Sequence, residues 1–202
     1  MKNYKQRSKQ AFDMQAKSYD HNQKGDHARK LYPFMIEEII QVYGTKVLDM
    51  GCGTGALMSM VLDEDHGREI TGIDLSEKML EQAKQRMKDK AVLIQGDCEN
   101  LPLESNYFDL VYCNDSFHHY PNPEKVCKEV FRVLKYGGTF LIGDCYLPFP
   151  FRVIMNCFMR YSSEGDVKIY SKKEMELLMN LYFHDIHWKK VTSQAMVIKG
   201  VK

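Results

Sequence analysis

Along most of the chain, short apolar runs alternate with longer segments in which apolar residues recur every three or four positions. The runs TKVLDM, EITGIDL, AVLIQG, YFDLVYCN and GTFLIGD are rich in β-branched and aromatic residues. Runs of this length read as strands, and the spacing between them reads as helix. Strand then helix, repeated, predicts an α/β fold: a mainly parallel sheet with helices on both faces, three layers in all.

Capping signals sharpen two of the helices. In SEKMLEQAKQRMKD, Ser76 suits the cap, and Met79, Leu80, Ala83 and Met87 share one face. In NPEKVCKEVFRVLKYGG, Asn122 suits the cap and Pro123 the first helical position. Val126, Val130, Val133 and Leu134 form its apolar stripe, with Gly137 just past the end. Two further helices, over about residues 10–19 and 27–42, precede the first strand. After Asp144 the alternation changes. LPFPFRVIMNCFMRY is apolar, SKKEMELLMNLY is helical with Ser171 as its cap, and HDIHWKKV and QAMVIKGV are strand-like. No repeat, low-complexity tract or Gly/Ser/Pro-rich linker interrupts the sequence, which reads as a single domain over 1–202. Its parts are cap helices over about 1–43, a core over about 44–145, an insert over about 146–170, and a final helix and hairpin over about 171–202.

The stretch VLDMGCGTG places Gly51, Gly53 and Gly55 in the turn from the first strand to the next helix. Glycine there permits positive φ and lets a ligand approach the backbone with no Cβ in the way. Asp49, Asp74 and Asp97 lie at the tips of three successive strands. One such Asp is commonly only a turn former; three together converge on the sheet edge where open α/β folds bind ligands. Asp74, 23 residues beyond Gly51, suits a ribose diol, whose two hydroxyls a carboxylate can accept. The glycines run GxGxG and not GxGxxG, no GKS or GKT follows, and acids crowd the place of a pyrophosphate. A phosphate-free, cationic ligand fits better than a dinucleotide.

Together VLDMGCGTG, GIDLSEKML, GDCENLPLESNYFDLVYCN and EVFRVLKYGGTFLIGD resemble the class I S-adenosylmethionine-dependent methyltransferases, in the small-molecule branch that includes ubiquinone and menaquinone methyltransferases. The resemblance covers about residues 45–145. It implies a Rossmann-like seven-stranded sheet with an antiparallel final strand, and S-adenosyl-L-methionine as cofactor. It also implies the cofactor contacts. Gly51, Gly53 and Gly55 would lie against the methionine part, and Asp49 would orient its amino group. Asp74 would take the ribose, Leu75 and Met79 the adenine ring, and Asp97 the adenine amino group, with the Cys98 amide beside it. The Asn114 backbone would face the methionine end, and Tyr19 would either close over the cofactor or only anchor an N-terminal helix.

Methyl transfer needs a base only when the acceptor loses a proton. His118 and His119, shortly after the fourth strand, are the catalytic candidates, because a near-neutral pKa suits that role. Such a pair in related enzymes often only packs or hydrogen-bonds. Asp144, ending the fifth strand, suits capping better than substrate contact. His184 and His187, three apart in a strand, would fall on opposite faces, so no metal site is expected. The acceptor pocket is expected from the N-terminal helices and from the insert. Leu147, Phe149, Phe151, Val153, Ile154, Met155, Phe158, Met159 and Tyr161 give the insert the composition of a lid, although a buried helix or a contact between copies has the same composition. Arg152 and Arg160 interrupt it.

The remaining bulk properties narrow the partners. A net charge of +1 and a pI near 7.6 give no broad attraction to nucleic acid or anionic membrane. The basic stretch MKNYKQRSKQ is followed by no apolar signal core, and no run approaches the ~18 residues of a membrane helix, so a cytoplasmic location is expected. Cys52, Cys98, Cys113, Cys127, Cys145 and Cys157 form no CxxC pair and read as reduced thiols. The expected activity is methyl transfer to a small, apolar or aromatic molecule. The alternatives are a non-catalytic cofactor-binding module, a methyltransferase acting on RNA or protein, and a nicotinamide oxidoreductase, the last disfavoured by GxGxG and Asp97.

Overall fold

The computed structural model describes residues 4–202; the first three residues of the basic stretch MKNYKQRSKQ lie outside the described residues. Helices α1 (Tyr4–Gln15) and α2 (Asp26–Ile39) precede β1 (Lys46–Met50). Then come α3 (Ala56–Glu64), β2 (Glu69–Asp74), α4 (Glu77–Met87), β3 (Ala91–Gln95) and β4 (Phe108–Asn114). A 3-10 turn (Phe117–His119), α5 (Pro123–Val133), β5 (Leu134–Cys145), α6 (Phe151–Met159), α7 (Lys172–Met179), β6 (His184–Lys190) and β7 (Ala195–Val201) complete the chain.

The seven strands form one sheet in the order β3-β2-β1-β4-β5-β7-β6. The first five pair in parallel, and β7 runs antiparallel between β5 and β6. Strand order reverses between β1 and β4, so the loops leaving the carboxyl ends of these two strands diverge and leave a crevice.

Neighbouring side chains on each strand serve opposite faces. Leu48, Met50, Val111, Cys113, Phe140 and Ile142 pack with Val126, Val130 and Val133 of α5 and with Met175 and Met179 of α7. Val47, Leu110, Tyr112 and Leu141 pack with Leu31, Met35 and Ile39 of α2 and with Leu57, Met58 and Val61 of α3. Strands covered on both sides are continuously apolar, as the runs of the sequence are.

Four expectations need correction. Helix α1 begins at Tyr4 and stops at Gln15, because it buries only Ser8 and Ala11 and has no apolar stripe to mark its extent. Helix α5 ends at Val133, and Leu134 opens β5 by pairing with Phe108. Gly137, at φ +79, therefore bends a strand instead of capping a helix. In β6 the register shifts between His184 and His187, which pair with Val201 and Lys199. That bulge, with Asp185 at φ +50, returns the two histidines to one face. Finally, α6 does not pack as a lid. Only its Met159 is buried, while Phe151, Ile154 and Phe158 are more than half exposed. No described helix is long and apolar enough to cross a membrane.

Candidate functional site

The crevice above β1 and β4 is a cavity walled by three sources. The turn after β1 supplies Gly51, Cys52, Gly53 and Thr54; the tips of β2, β3 and β4 supply Asp74, Asp97 and Asn114; and α1, α2 and the segment between them supply Phe12, Tyr19 and Tyr32. The glycine turn hangs on β2, with the Gly51 and Cys52 amides donating to the Ile73 carbonyl at 2.8 and 3.1 Å. Gly51, Gly53 and Gly55 have φ of +69, +53 and +72, a region costly to any side chain. Their surroundings differ. A Cβ on Gly53 would meet nothing within 4 Å, one on Gly51 would strike Ser116 at 2.8 Å, and one on Gly55 would press on Ala83 of α4 at 3.3 Å. Gly53 therefore borders open ligand space, whereas Gly55 serves packing and lies outside the cavity lining.

Of the residues expected to hold a cofactor, Tyr19, Asp49, Gly51, Gly53, Asp74, Leu75, Met79, Asp97, Cys98 and Asn114 all line this one cavity. Their bonding separates them. Asp74 accepts the Gly53 amide at 2.9 Å and the Ser76 amide at 2.8 Å, which fixes the turn and the start of α4. Asp97 and Glu99 share the Lys5 ammonium of α1, each at 2.6 Å. Asp115 pairs with His27 of α2 at 2.6 Å. Asp49, only 3% exposed, has no cation among the described residues; the Tyr112 hydroxyl lies beside it without hydrogen-bond geometry. Burial accordingly pushes the Asp49 carboxyl up to about 8 and raises Asp74 as well.

The two histidines separate in the same way. His118 points away from the cavity: its Nδ1 lies 2.7 Å from Asp144 Oδ1, and its amide donates to Asp144 Oδ2 at 3.0 Å. Burial disfavours the charged ring, but the Asp144 carboxylate overrides it and holds His118 well above the ordinary imidazole range. Asp144, despite its own burial, is pulled down to about 2 by that ring. His119 lines the cavity, stacked edge-on against Phe12 at 5.3 Å. Burial and the neighbouring His118 push it down to about 4.

Several lining residues carried no signal in the sequence. Lys5, Phe12 and Tyr32 come from the N-terminal helices, and Ser116 and Tyr120 from the turn after β4. Ser116 bonds the Met50 carbonyl at 3.1 Å and the Tyr120 hydroxyl at 3.0 Å. The insert, expected to wall the acceptor pocket with apolar side chains, contributes none of them to this cavity. It meets the rim through the Val167 amide, which donates to the His118 carbonyl at 2.9 Å, and through Asp166.

This arrangement has relatives. Residues 48–142 match the family described as "Methyltransferase domain". The chain is 36% identical over 114 residues to the demethylmenaquinone methyltransferase of Thermotoga maritima, covering 56% of this chain and 49% of that one. It is 32% identical over 121 residues to a sterol 4-C-methyltransferase of Caenorhabditis elegans, covering 57% and 36%. Among solved structures, the chain complexed with the Trm112 methyltransferase activator of Haloferax volcanii superposes with a TM-score of 0.82 over 96% of both chains, at 18% identity. The matched part spans about half or less of the length of those two curated relatives. Motifs, strand order and the cavity at the switch point agree with that match: residues 48–142 are similar to the methyltransferase domain, and the arrangement resembles that of the class I S-adenosylmethionine-dependent methyltransferases.

Proposed function

We propose that the protein transfers a methyl group from S-adenosylmethionine to a small, apolar or aromatic acceptor. One observation carries this reading. Of the carboxylates around the cavity, Asp49 and Asp74 alone have no cationic partner among the described residues, and they share that cavity with Gly53, whose Cβ direction is open and whose amide Asp74 accepts. A ligand with an ammonium and a ribose diol, and with no phosphate, complements that pair.

The assignments follow from position. Asp49 takes the ammonium, Asp74 the ribose hydroxyls, and the bare backbone at Gly51 and Gly53 the methionine chain. Leu75 and Met79 pack on the adenine, Asp97 and the Cys98 amide read its edge, and the Asn114 backbone borders the methionine end. Bound there, S-adenosylmethionine supplies a methyl group on a sulfonium whose charge disappears during transfer. Because water stabilises that charge, the aromatic wall of Phe12, Tyr19 and Tyr32 favours the reaction by keeping solvent out and the partners in line. If the acceptor must lose a proton, His119 is the histidine at the cavity wall and stays neutral, but burial makes it a weaker base than an ordinary imidazole, whereas His118 is committed to Asp144. The apolar acceptor is in keeping with the quinone and sterol substrates in the names of the two relatives.

Titration calorimetry tests this directly. S-adenosylmethionine and its demethylated product should both give heat, reduced nicotinamide dinucleotide none, and demethylated quinols or sterols should then release S-adenosylhomocysteine. Folded protein that gives no heat with either sulfur compound refutes the proposal.

A further inference from the structure

Where the insert meets the turn after β4, three potential ligand atoms meet. His118 Nε2 lies 3.6 Å and His119 Nδ1 lies 3.1 Å from the same oxygen, Asp166 Oδ1, and all three atoms fall within 4.8 Å of one another. The shorter contact is not a hydrogen bond. His119 Nδ1 is buried and without an aligned partner, although a carboxylate oxygen stands next to it. A ring nitrogen and a carboxylate oxygen this close without an aligned hydrogen bond leave room for a shared cation between them. Tetrahedral zinc with bonds of about 2.0–2.1 Å separates its ligand atoms by about 3.3 Å, between the two distances observed.

We propose that His118 Nε2, His119 Nδ1 and Asp166 Oδ1 bind a zinc ion. The surroundings fit that role. Asp144 holds His118 through Nδ1 at 2.7 Å, so Nε2 is the nitrogen a metal would take in exchange for its proton, in the carboxylate–histidine–metal relay that orients ligating imidazoles. Ser162 donates to the other Asp166 oxygen at 2.6 Å, so Oδ1 is held toward the histidines. Two imidazoles and one carboxylate are a donor set that zinc accepts, and three protein ligands leave a fourth position open, as in catalytic zinc sites. The ion would also staple the insert to the cavity rim, where His119 is a wall residue. This inference is independent of what the cavity binds, because metal uptake is read without cofactor or turnover.

The test uses the full chain, stripped with a chelator and titrated with zinc alone against a chromophoric competitor. One equivalent should bind. Asp166→Ala and His119→Ala should each abolish that uptake, Asp144→Asn should weaken it about 10- to 100-fold, and His184→Ala, an exposed histidine elsewhere, should change nothing. Each variant is melted without metal to establish that it folds. Cobalt in place of zinc should show the visible bands of a four-coordinate nitrogen and oxygen site. No uptake by the parent chain, uptake that survives both Asp166→Ala and His119→Ala, or a cobalt spectrum with thiolate charge transfer from Cys145 would each overturn the assignment.

Discussion

Cofactor binding should expel a proton from Asp49. Burial places this carboxyl at about 8, against 3.8 for an exposed aspartate. One pH unit below that value, about nine in ten copies carry the proton. An ammonium seated against Asp49 requires the ionised form, so ligation must first displace the proton, and affinity inherits the titration. Between pH 6 and 7 the association constant should rise close to tenfold, which is the limiting slope of one proton per ligand. The groups facing Asp49 are Asp74 from β2, Cys52 from the glycine turn, Tyr112 from β4 and Tyr32 from α2. The thiol and both phenols are pushed upward, away from this window.

Calorimetry with the demethylated product at pH 7, in two buffers of different ionisation enthalpy, measures the released proton directly. The expected count is about 0.9 proton per ligand. Asp74 is also raised by burial, so Asp49→Asn provides the control: it should bind more weakly, with no dependence on pH between 6 and 7. A parent chain whose dissociation constant is the same at pH 6 and pH 7 would break the link between Asp49 and the ligand ammonium. A slope that persists in Asp49→Asn would assign the proton to another group.

Three further outcomes follow from the geometry. Gly53→Ala should lose about 1–2 kcal/mol of stability to its positive φ and most of its cofactor affinity, since its methyl enters open ligand space. Gly51→Ala adds a collision with Ser116 and should melt lower still; equal melting temperatures for the two would contradict the packing described. Asp74→Ala should cost roughly 1–3 kcal/mol of cofactor affinity and also lower the melting temperature, because the Gly53 and Ser76 amides lose their acceptor. Unchanged affinity by calorimetry would remove Asp74 from the site. Lys5→Met leaves Glu99, almost fully buried, without its cation and should speed amide exchange in α1 while leaving exchange in α5 unaltered; uniform protection would refute the polar anchoring of α1.

The sheet and the cavity at its carboxyl edge were legible because both follow from local signals. The strands are apolar on both faces, and the acids and glycines fall at their tips within a span where spacing in sequence becomes spacing along the sheet edge. Where contacts are distant, the signal failed. Lys5 reaches Asp97 and Glu99 across more than ninety residues, and nothing in YKQRSKQAFDMQ marks it as their partner. Asp166 comes to the histidines on an insert whose apolar composition points to a lid, yet it meets them through one carboxylate. Leu134 and Gly137 misled because a helix that passes directly into a strand has no terminating residue. The bulge at Asp185 reversed the facing of His187, which an alternation of two cannot anticipate.

The division of labour in the cavity explains why its floor and roof obey different rules. The floor belongs to the sheet, whose β1 and β4 tips are fixed by core packing on both faces. The roof, α1, buries only Ser8 and Ala11 and is held by reach: Lys5 to Asp97 and Glu99, Asp13 to the Ser76 hydroxyl at 2.6 Å, and Gln15 to Glu164 at 2.9 Å. The contacts to Asp97 and Glu164 are part-exposed and exchange with water, so a segment that depends on them opens at lower cost than one held by apolar burial. Three of the four partners of α1, the acceptors Asp97 and Glu99 and the donor Ser76, lie toward the end of the cavity where the proposed adenine would lie. A ligand engaging Asp97 therefore competes with Lys5 for the same carboxylate, and the grip of the roof and the occupancy of the floor are coupled through that one residue.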